Sequence, residues 1–80
     1  MGRYSINTKM DAEDVVEAAV DYFGEEGLGL ESSDVGACCA TFEGGGGFVR
    51  INVDAGDPTE VELVTREWDH DVKHFMTKIK

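Results

Sequence analysis

Basic residues are scarce in this chain: 7 lysines and arginines stand against 17 aspartates and glutamates among 80 residues, for a formal net charge of −10. Proteins that bind nucleic acid draw their affinity from lysine and arginine contacts with phosphate. The charge balance therefore argues against nucleic acid as a partner. It is typical of a solvated acidic surface, and it also suits a basic partner or a salty cytoplasm.

Long apolar runs are missing as well. No stretch approaches the roughly 20 apolar residues needed to cross a membrane. The opening residues, MGRYSINTK, alternate between polar and apolar side chains and lack the apolar core of a signal peptide. Ile6 occupies the position at which an N-myristoylation motif requires serine or threonine. We therefore expect a cytoplasmic protein with no membrane partner.

Cysteine is represented only by the adjacent pair Cys38 and Cys39. A structural disulfide normally joins distant segments, so this pair does not indicate a disulfide-stabilised secreted scaffold. Reduced thiols in the cytosol are expected. A chain of this length forms one domain near the lower size limit for an unaided hydrophobic core, and we assign residues 1–80 to a single compact domain without a linker.

The stretch around which the chain is organised lies between residues 35 and 53 and reads VGACCATFEGGGGFVRINV. Residues 48–54 alternate with period two, which indicates a strand with one buried and one solvated face. Glycines 44–47 allow the positive φ angles of a tight turn, so we predict a long antiparallel hairpin. A phosphate-binding loop is not favoured, because such loops precede a helix and usually carry a lysine.

Pairing Glu43 with Phe48 sets the register of the predicted hairpin. Its inward-facing side chains are then all apolar, whereas a slip of one residue would bring Thr41 and Glu43 into the core. This register predicts that Cys38 is buried and that Cys39 lies on the opposite, open face. The predicted inward pairs are Phe42 with Val49, Ala40 with Ile51, and Cys38 with Val53.

The remaining pattern predicts two helices, one on each side of the hairpin. Asp11 and Asp69 are suited to cap them, and further acidic residues lie in each first turn, where the helix macrodipole favours negative charge. The other predicted elements are a strand at 3–10, helix 11–23, a short strand near 28–31, turns at 32–34 and 54–59, a strand at 60–68 and helix 69–79. These elements predict an α+β fold: a single antiparallel sheet of four to five strands with two helices packed on one face, in the order β-α-β-β-β-β-α.

Two groups of residues have some features of metal sites. His70 and His74 have the spacing that can place two imidazoles on one metal, yet both point away from the apolar stripe of their helix and are expected to face solvent. Asp54, Asp57 and Glu60 lack the alternating oxygen ligands of a calcium loop. We expect no metal and no other cofactor.

Cys39 is the candidate nucleophile. Arg50 is its diagonal neighbour in the predicted register, and a nearby cation lowers the pKa of a thiol. No histidine is placed to act as its base, so no catalytic residue is assigned and the sequence favours a non-enzymatic protein. A thiol-dependent or small-molecule-binding protein that uses Cys39 and Arg50 is the alternative function.

The open face, meaning the sheet surface on the side away from the helices, is the preferred candidate site. Tryptophan, other aromatic residues and arginine are the usual composition of an interaction hot spot. Strand parity sets Arg66 near Phe48, within reach of a cation–π contact. A competing interpretation is that Trp68 folds over the sheet edge and completes the core. The candidate partner-binding residues are Cys39, Phe48, Arg50, Val64, Arg66 and Trp68.

The order of elements resembles that of the TATA-box-binding-protein-like fold and, more distantly, that of the helix-grip folds of START-like proteins. The resemblance spans the whole chain but consists of element order alone, so no functional residue is carried over. It implies that binding occurs on the sheet surface away from the helices or in a cavity between sheet and helix. The first expectation is therefore a small protein-interaction module that binds a partner, or a second copy of itself, through the open face.

Overall fold

The computed structural model describes residues 1–80 as five strands and two helices, in the predicted order β-α-β-β-β-β-α. The α+β class predicted from the alternating and helical patterns is therefore confirmed. Neither helix is long and apolar enough to cross a membrane. The elements are β1 (Gly2–Thr8), α1 (Ala12–Phe23), β2 (Glu31–Ser33), β3 (Cys39–Gly44), β4 (Gly47–Asp54), β5 (Thr59–Arg66) and α2 (Asp69–Ile79).

All five strands form one antiparallel sheet in the order β1-β5-β4-β3-β2. Three of the four neighbouring pairs are consecutive in sequence, and the fourth brings β1 from the start of the chain to the free edge of β5. Helix α1 packs on β3 and β4, and α2 packs on β5 and β1. Both helices cover the same face, which leaves the other face of the sheet open.

The core lies between the sheet and the two helices. Its centre is aromatic: the Phe23 ring lies 5.5 Å from that of Phe42 and 5.2 Å from that of Phe75, measured between centroids. These three rings come from α1, β3 and α2, so they join all the layers of the fold. The buried apolar residues are Val15, Val16, Ala19, Phe23, Leu30, Ala40, Phe42, Val49, Ile51, Val53, Val61, Leu63, Val72, Phe75 and Ile79.

The β3–β4 hairpin has the predicted register, with Glu43 opposite Phe48, Phe42 opposite Val49 and Ala40 opposite Ile51. Gly45 and Gly46 form the two-residue turn, and both have positive φ, at 59° and 80°. Two successive positive φ angles are what a tight hairpin turn matched to strand twist requires, and glycine adopts them without a Cβ penalty.

Cys38 contradicts the prediction that it is buried, because it is exposed to solvent. Strand β3 begins only at Cys39, and the preceding chain bends at residues 37–38. A hydrogen bond of 2.8 Å from the Gly36 amide to the Cys39 carbonyl closes this bend. Alternation of faces holds only within a strand, so the inward direction expected for Cys38 does not apply. Val35, predicted to begin the hairpin, is likewise outside the strand and 49% exposed.

Three strand boundaries also differ from the prediction. Strand β1 ends at Thr8 rather than at residue 10, because the Met10 amide donates a hydrogen bond to the Thr8 hydroxyl and not to a neighbouring strand. The short strand is β2 at Glu31–Ser33 rather than 28–31, because backbone hydrogen bonds to the end of α1 hold the preceding residues in turns, including one from the Leu30 amide to the Phe23 carbonyl. Strand β5 ends at Arg66 rather than at residue 68, because Glu67 adopts a positive φ of 75° that breaks the strand.

The predicted capping also needs correction. Asp11 is the residue before α1, but its side chain makes no capping hydrogen bond. Asp69 is the first residue inside α2, and the N-cap position belongs to Trp68. The Asp69 carboxylate instead accepts a hydrogen bond of 2.6 Å from the Tyr4 hydroxyl, which joins α2 to β1.

Candidate functional site on the open face of the sheet

The centre of the open face is a row of side chains that runs across all five strands. Val64 of β5 lies between Arg3 of β1 and Arg50 of β4, because it is opposite both of them in the two strand pairs. The row continues through Thr41 of β3 to Ser33 of β2. We call this row the arginine row.

A second row lies beside it at the hairpin end of the sheet. Arg66 of β5 is opposite Phe48 of β4, as strand parity predicts. The cation over the Phe48 ring, however, is Arg50, whose Cζ lies 5.7 Å from the ring centroid. Glu43 and Glu31 complete this row over β3 and β2.

These two rows contain every arginine of the chain, Arg3, Arg50 and Arg66. The residues directly opposite the three arginines are valine, threonine and phenylalanine, so none faces a carboxylate across its ladder. We call the part of these rows carried by β1, β5 and β4 the arginine half of the open face. Phe48 and Val64, both half-buried, form a small apolar centre within it.

The other half of the open face carries the opposite charge. Glu62 and Asn52 lie opposite each other in the next row, and Glu60 and Asp54 in the last. No lysine or arginine is present in these two rows on β1, β5, β4 or β3. On β1, β5 and β4 the open face of this acidic chain is therefore bipolar, with an arginine half toward the hairpin turn and an acid half, defined by Glu62, Glu60 and Asp54, at the far end. Glu43 and Glu31 lie beside the arginine half, on β3 and β2.

Trp68 does not lie among the strand residues of the open face. It follows the end of β5 and begins α2, and it packs against the hydrophobic core. Its indole N–H donates a hydrogen bond of 2.9 Å to the Gly44 carbonyl. This geometry matches the competing interpretation, in which Trp68 folds over the end of the sheet and completes the core. The other five candidate residues are on the open face, namely Cys39, Phe48, Arg50, Val64 and Arg66.

Cys39 lies opposite Asn52, at the edge of the acid half, and is half-buried. Its pKa is raised above the ordinary value, first by a hydrogen bond with Cys38, then by burial and by the negative charge of Cys38 and Asp54. The expectation that Arg50 lowers this pKa is therefore wrong, because the groups that act on the thiol favour its neutral form. A raised pKa favours the unreactive neutral thiol, so it gives no support to the alternative function that uses Cys39 and Arg50.

Arg3 and the three acids are site residues that sequence reasoning missed. The alternation of strand β1 correctly predicts that Arg3 points away from the core, but not which strand lies beside it. The pairing of β1 with β5 places Arg3 next to Val64. Counting charge signs along each outward-facing strand position would have found the acid half, since Glu60 and Glu62 alternate with buried residues on β5.

The remaining polar groups do not assemble into a further centre. His70 and His74 are both exposed on α2, as their direction on the helix predicts, and His74 lies 6.0 Å from the Tyr22 ring between centroids. No group of three or more histidine, cysteine, aspartate or glutamate side chains is arranged to hold a metal ion. A cleft of about 660 Å³ lies at the start of α1, away from the arginine half, and is lined in part by Asp11, Glu13 and Asp54.

Comparison of the chain with protein families, with curated proteins and with solved structures gave no match.

Proposed function

We propose that this protein is a small interaction module that binds a protein surface through the open face of its sheet. The observation that carries the proposal is the placement of all three arginines around Phe48 and Val64 in a chain whose net charge is −10. Solvation alone gives no reason for all three arginines to lie on one half of one face. Arginine beside a half-buried aromatic ring is, by contrast, typical of the residues that dominate protein interfaces.

The energetics of the face favour an interface that uses all of it. The cation–π contact between Arg50 and Phe48 contributes about 0.5–1 kcal/mol when exposed, and more when a partner excludes water from it. Five strands spaced about 4.8 Å apart and rows about 7 Å apart make a face of roughly 20 by 20 Å. That is about 400 Å², half of the roughly 800 Å² that each partner buries in an interface of standard size. The expected complex is therefore modest in affinity.

The partner surface must carry charges of both signs. A uniformly acidic partner would suit the arginine half and be repelled by Glu60 and Glu62, while a uniformly basic partner would be repelled by Arg50 and Arg66. Like charges placed opposite each other across an interface cost several kcal/mol. Specificity therefore comes from the order of the two halves along the strands.

The test compares two double variants that remove the same charge from opposite sides of the protein. Arg50→Ala with Arg66→Ala alters the open face, and Lys73→Ala with Lys78→Ala is its matched control on α2. Proteins that the immobilised wild type retains from the native extract are identified by mass spectrometry, and the retention of each is then quantified on both variants, with far-UV circular dichroism as a check on folding. We expect the open-face variant to lose binding at least tenfold, on the order of one hot-spot arginine, and the control to retain it. Equal retention by both variants would contradict the proposal.

A further inference from the structure

The bipolar charge of the open face points to its occupant, and this inference rests on the proposed function of that face. We infer that a second copy of this chain stacks on the open face, sheet against sheet, with the strands of the two copies running in opposite directions. The resulting dimer has a two-fold axis that lies between the sheets, perpendicular to the strands. Closed two-fold dimers are the commonest assemblies of identical chains, and every contact in them occurs twice.

The geometry follows from the four rows of the open face. The two-fold axis places each strand over its own counterpart and reverses it, so the first row lies over the last and the two middle rows lie over each other. Arg66 then lies over Glu60 of the second copy, and Val64 lies over Glu62. Because Arg3 and Arg50 flank Val64, both of them reach the same Glu62 carboxylate diagonally. The arginine half of each copy is thus covered by the acid half of the other.

The charge pattern also selects against the alternative stacking. If the two-fold axis ran along the strands instead, β4 would lie over its own counterpart without reversal. Arg66 would then face Glu43, but Arg50 would face Arg50 and Asp54 would face Asp54 on the central strand. Like charges facing each other specify against that arrangement. The arrangement with opposed strands covers the arginine half of each copy with the acid half of the other and brings no two like charges directly opposite each other.

The experiment uses two charge-reversed variants of the full chain. One carries Arg50→Glu and Arg66→Glu, so that two of its arginines become acids. The other carries Glu60→Arg and Glu62→Arg, so that its acid half becomes basic. In a homodimer of either variant, like charges meet where position 66 lies over position 60 and where position 50 approaches position 62. In a mixed dimer of the two, opposite charges meet at both of these places again, and the unchanged Arg3 approaches one acidic and one basic position 62.

Molar mass is measured by sedimentation equilibrium on each variant alone, on a 1:1 mixture and on the wild type, up to a concentration of several hundred micromolar. We expect a wild-type dimer, a dissociation constant weakened at least tenfold in each variant alone, and a mixture that returns to dimer. Lys73→Glu with Lys78→Glu on α2 changes the net charge as much as the first variant does, and it is expected to remain dimeric. Circular dichroism confirms that each variant is folded.

A wild type that stays monomeric at every concentration would overturn this inference. It would leave the proposed function standing if the open-face alanine variant still lost a different partner while its lysine control kept it. A wild-type dimer that both charge-reversed variants preserve would also overturn the inference, because the contact would then lie on another surface. Failure of the mixture to recover the dimer would overturn the opposed arrangement of strands.

Discussion

Trp68 holds the hairpin turn in position through two contacts. Its indole N–H bonds to the Gly44 carbonyl, and its ring lies so close to Gly45 that a Cβ added there would be 2.8 Å from the ring atom Cζ2. The tryptophan therefore fixes the end of the hairpin from the core side. Its contribution belongs to stability and to the position of Phe48, which follows the turn.

The contact between Gly45 and Trp68 predicts an unusual response to a common turn sequence. Asn-Gly is the preferred pair for a two-residue hairpin turn with two positive φ angles, so Gly45→Asn would ordinarily be neutral or stabilising. Here we expect it to destabilise the protein by about 1–3 kcal/mol, the usual cost of overpacking. The measurement is urea unfolding followed by circular dichroism.

Gly46→Asn is the matched control for that substitution. Its φ is also positive, but a Cβ at Gly46 would meet no atom within 4 Å, so it lacks the clash with the indole ring. In a Trp68→Ala background, the two substitutions should become similar in cost. If Gly45→Asn is no more costly than Gly46→Asn in the wild type, the role assigned to Trp68 is wrong.

The reactivity of the Cys39 thiol can be predicted from its contact with Cys38. Because the hydrogen bond that the Cys39 thiol makes with Cys38 is the first cause of its raised pKa, Cys38→Ala should lower that pKa and speed alkylation of Cys39 at neutral pH. Each unit by which the pKa falls raises the thiolate fraction about tenfold. The measurement is the rate of iodoacetamide labelling at Cys39, resolved by peptide mass spectrometry. A rate that is unchanged or slower in the variant would contradict the assignment.

At the scale of elements, the β1–α2 contact closes the fold. Tyr4 lies near the start of the chain and Asp69 near its end, and the hydroxyl of the first donates to the carboxylate of the second. This hydrogen bond, followed by burial and by the charge of Asp69, raises the pKa of Tyr4 above its ordinary value of 10.0. Since the folded state favours the protonated phenol, the stability it contributes is present below pH 10 and is lost as the pH rises through the raised pKa.

The expected result is a fall in the thermal midpoint above about pH 10 that is steeper in the wild type than in Tyr4→Phe. The Tyr22 pKa is also raised, by burial and then by the charge of Asp71, so part of the alkaline slope should persist in Tyr4→Phe. Tyr22→Phe provides the complementary control. Identical slopes in the wild type and in Tyr4→Phe would show that the hydrogen bond does not couple the two elements.

The elements also show what could be predicted from sequence and what could not. Local pattern was sufficient where neighbours in the chain decide the structure, as in the hairpin register set by glycines 44–47 and in the bounds of α2. It failed at Cys38, where one hydrogen bond from Gly36 bends the chain, and at Trp68, where the positive φ of Glu67 ends the strand.

The bipolar face depends on contacts that are distant in sequence. The position of Arg3 beside Val64 requires the pairing of β1 with β5, which joins strands from opposite ends of the chain. Alternation indicates which side of a strand a residue occupies, but it carries no information about strand order. Alternation in the hairpin and in β5 predicted that Phe48, Arg50, Val64 and Arg66 lie on the open face, so most of the arginine half was predictable. The separation of the arginine half from an acid half was not.

At the scale of the whole molecule, net charge opposes the proposed dimer. Two copies of charge −10 whose centres are about 25 Å apart repel by about 7 kcal/mol when the Debye length is about 30 Å, at 0.01 M salt. At 0.15 M salt the Debye length is about 8 Å and the same repulsion falls to about 1 kcal/mol. The arginine–carboxylate pairs within the interface are short and are screened much less.

We therefore expect the dimer to be weaker at 0.01 M than at 0.15 M salt, the reverse of an interface held by attraction between oppositely charged proteins. Sedimentation velocity at matched protein concentration checks the direction of the change. The Lys73→Ala, Lys78→Ala variant, which is more acidic, should show a larger salt effect than the wild type. A wild-type dimer that strengthens as salt is removed would contradict the expectation that repulsion between the net charges outweighs the attraction of the arginine–carboxylate pairs at low salt.

The most direct test of the proposed dimer is to observe which surface of the molecule changes its chemical environment when a second copy binds. Backbone amide chemical shifts are recorded by nuclear magnetic resonance across a dilution series at 0.15 M salt. We expect the chemical shifts of β4 and β5 to change with protein concentration, most strongly around Arg50, Val64 and Glu62, and those of α1 and α2 to change little. Shifts that map to the helices, or no shifts in a sample that sediments as a dimer, would contradict the claim that the open face of the sheet is the interaction surface.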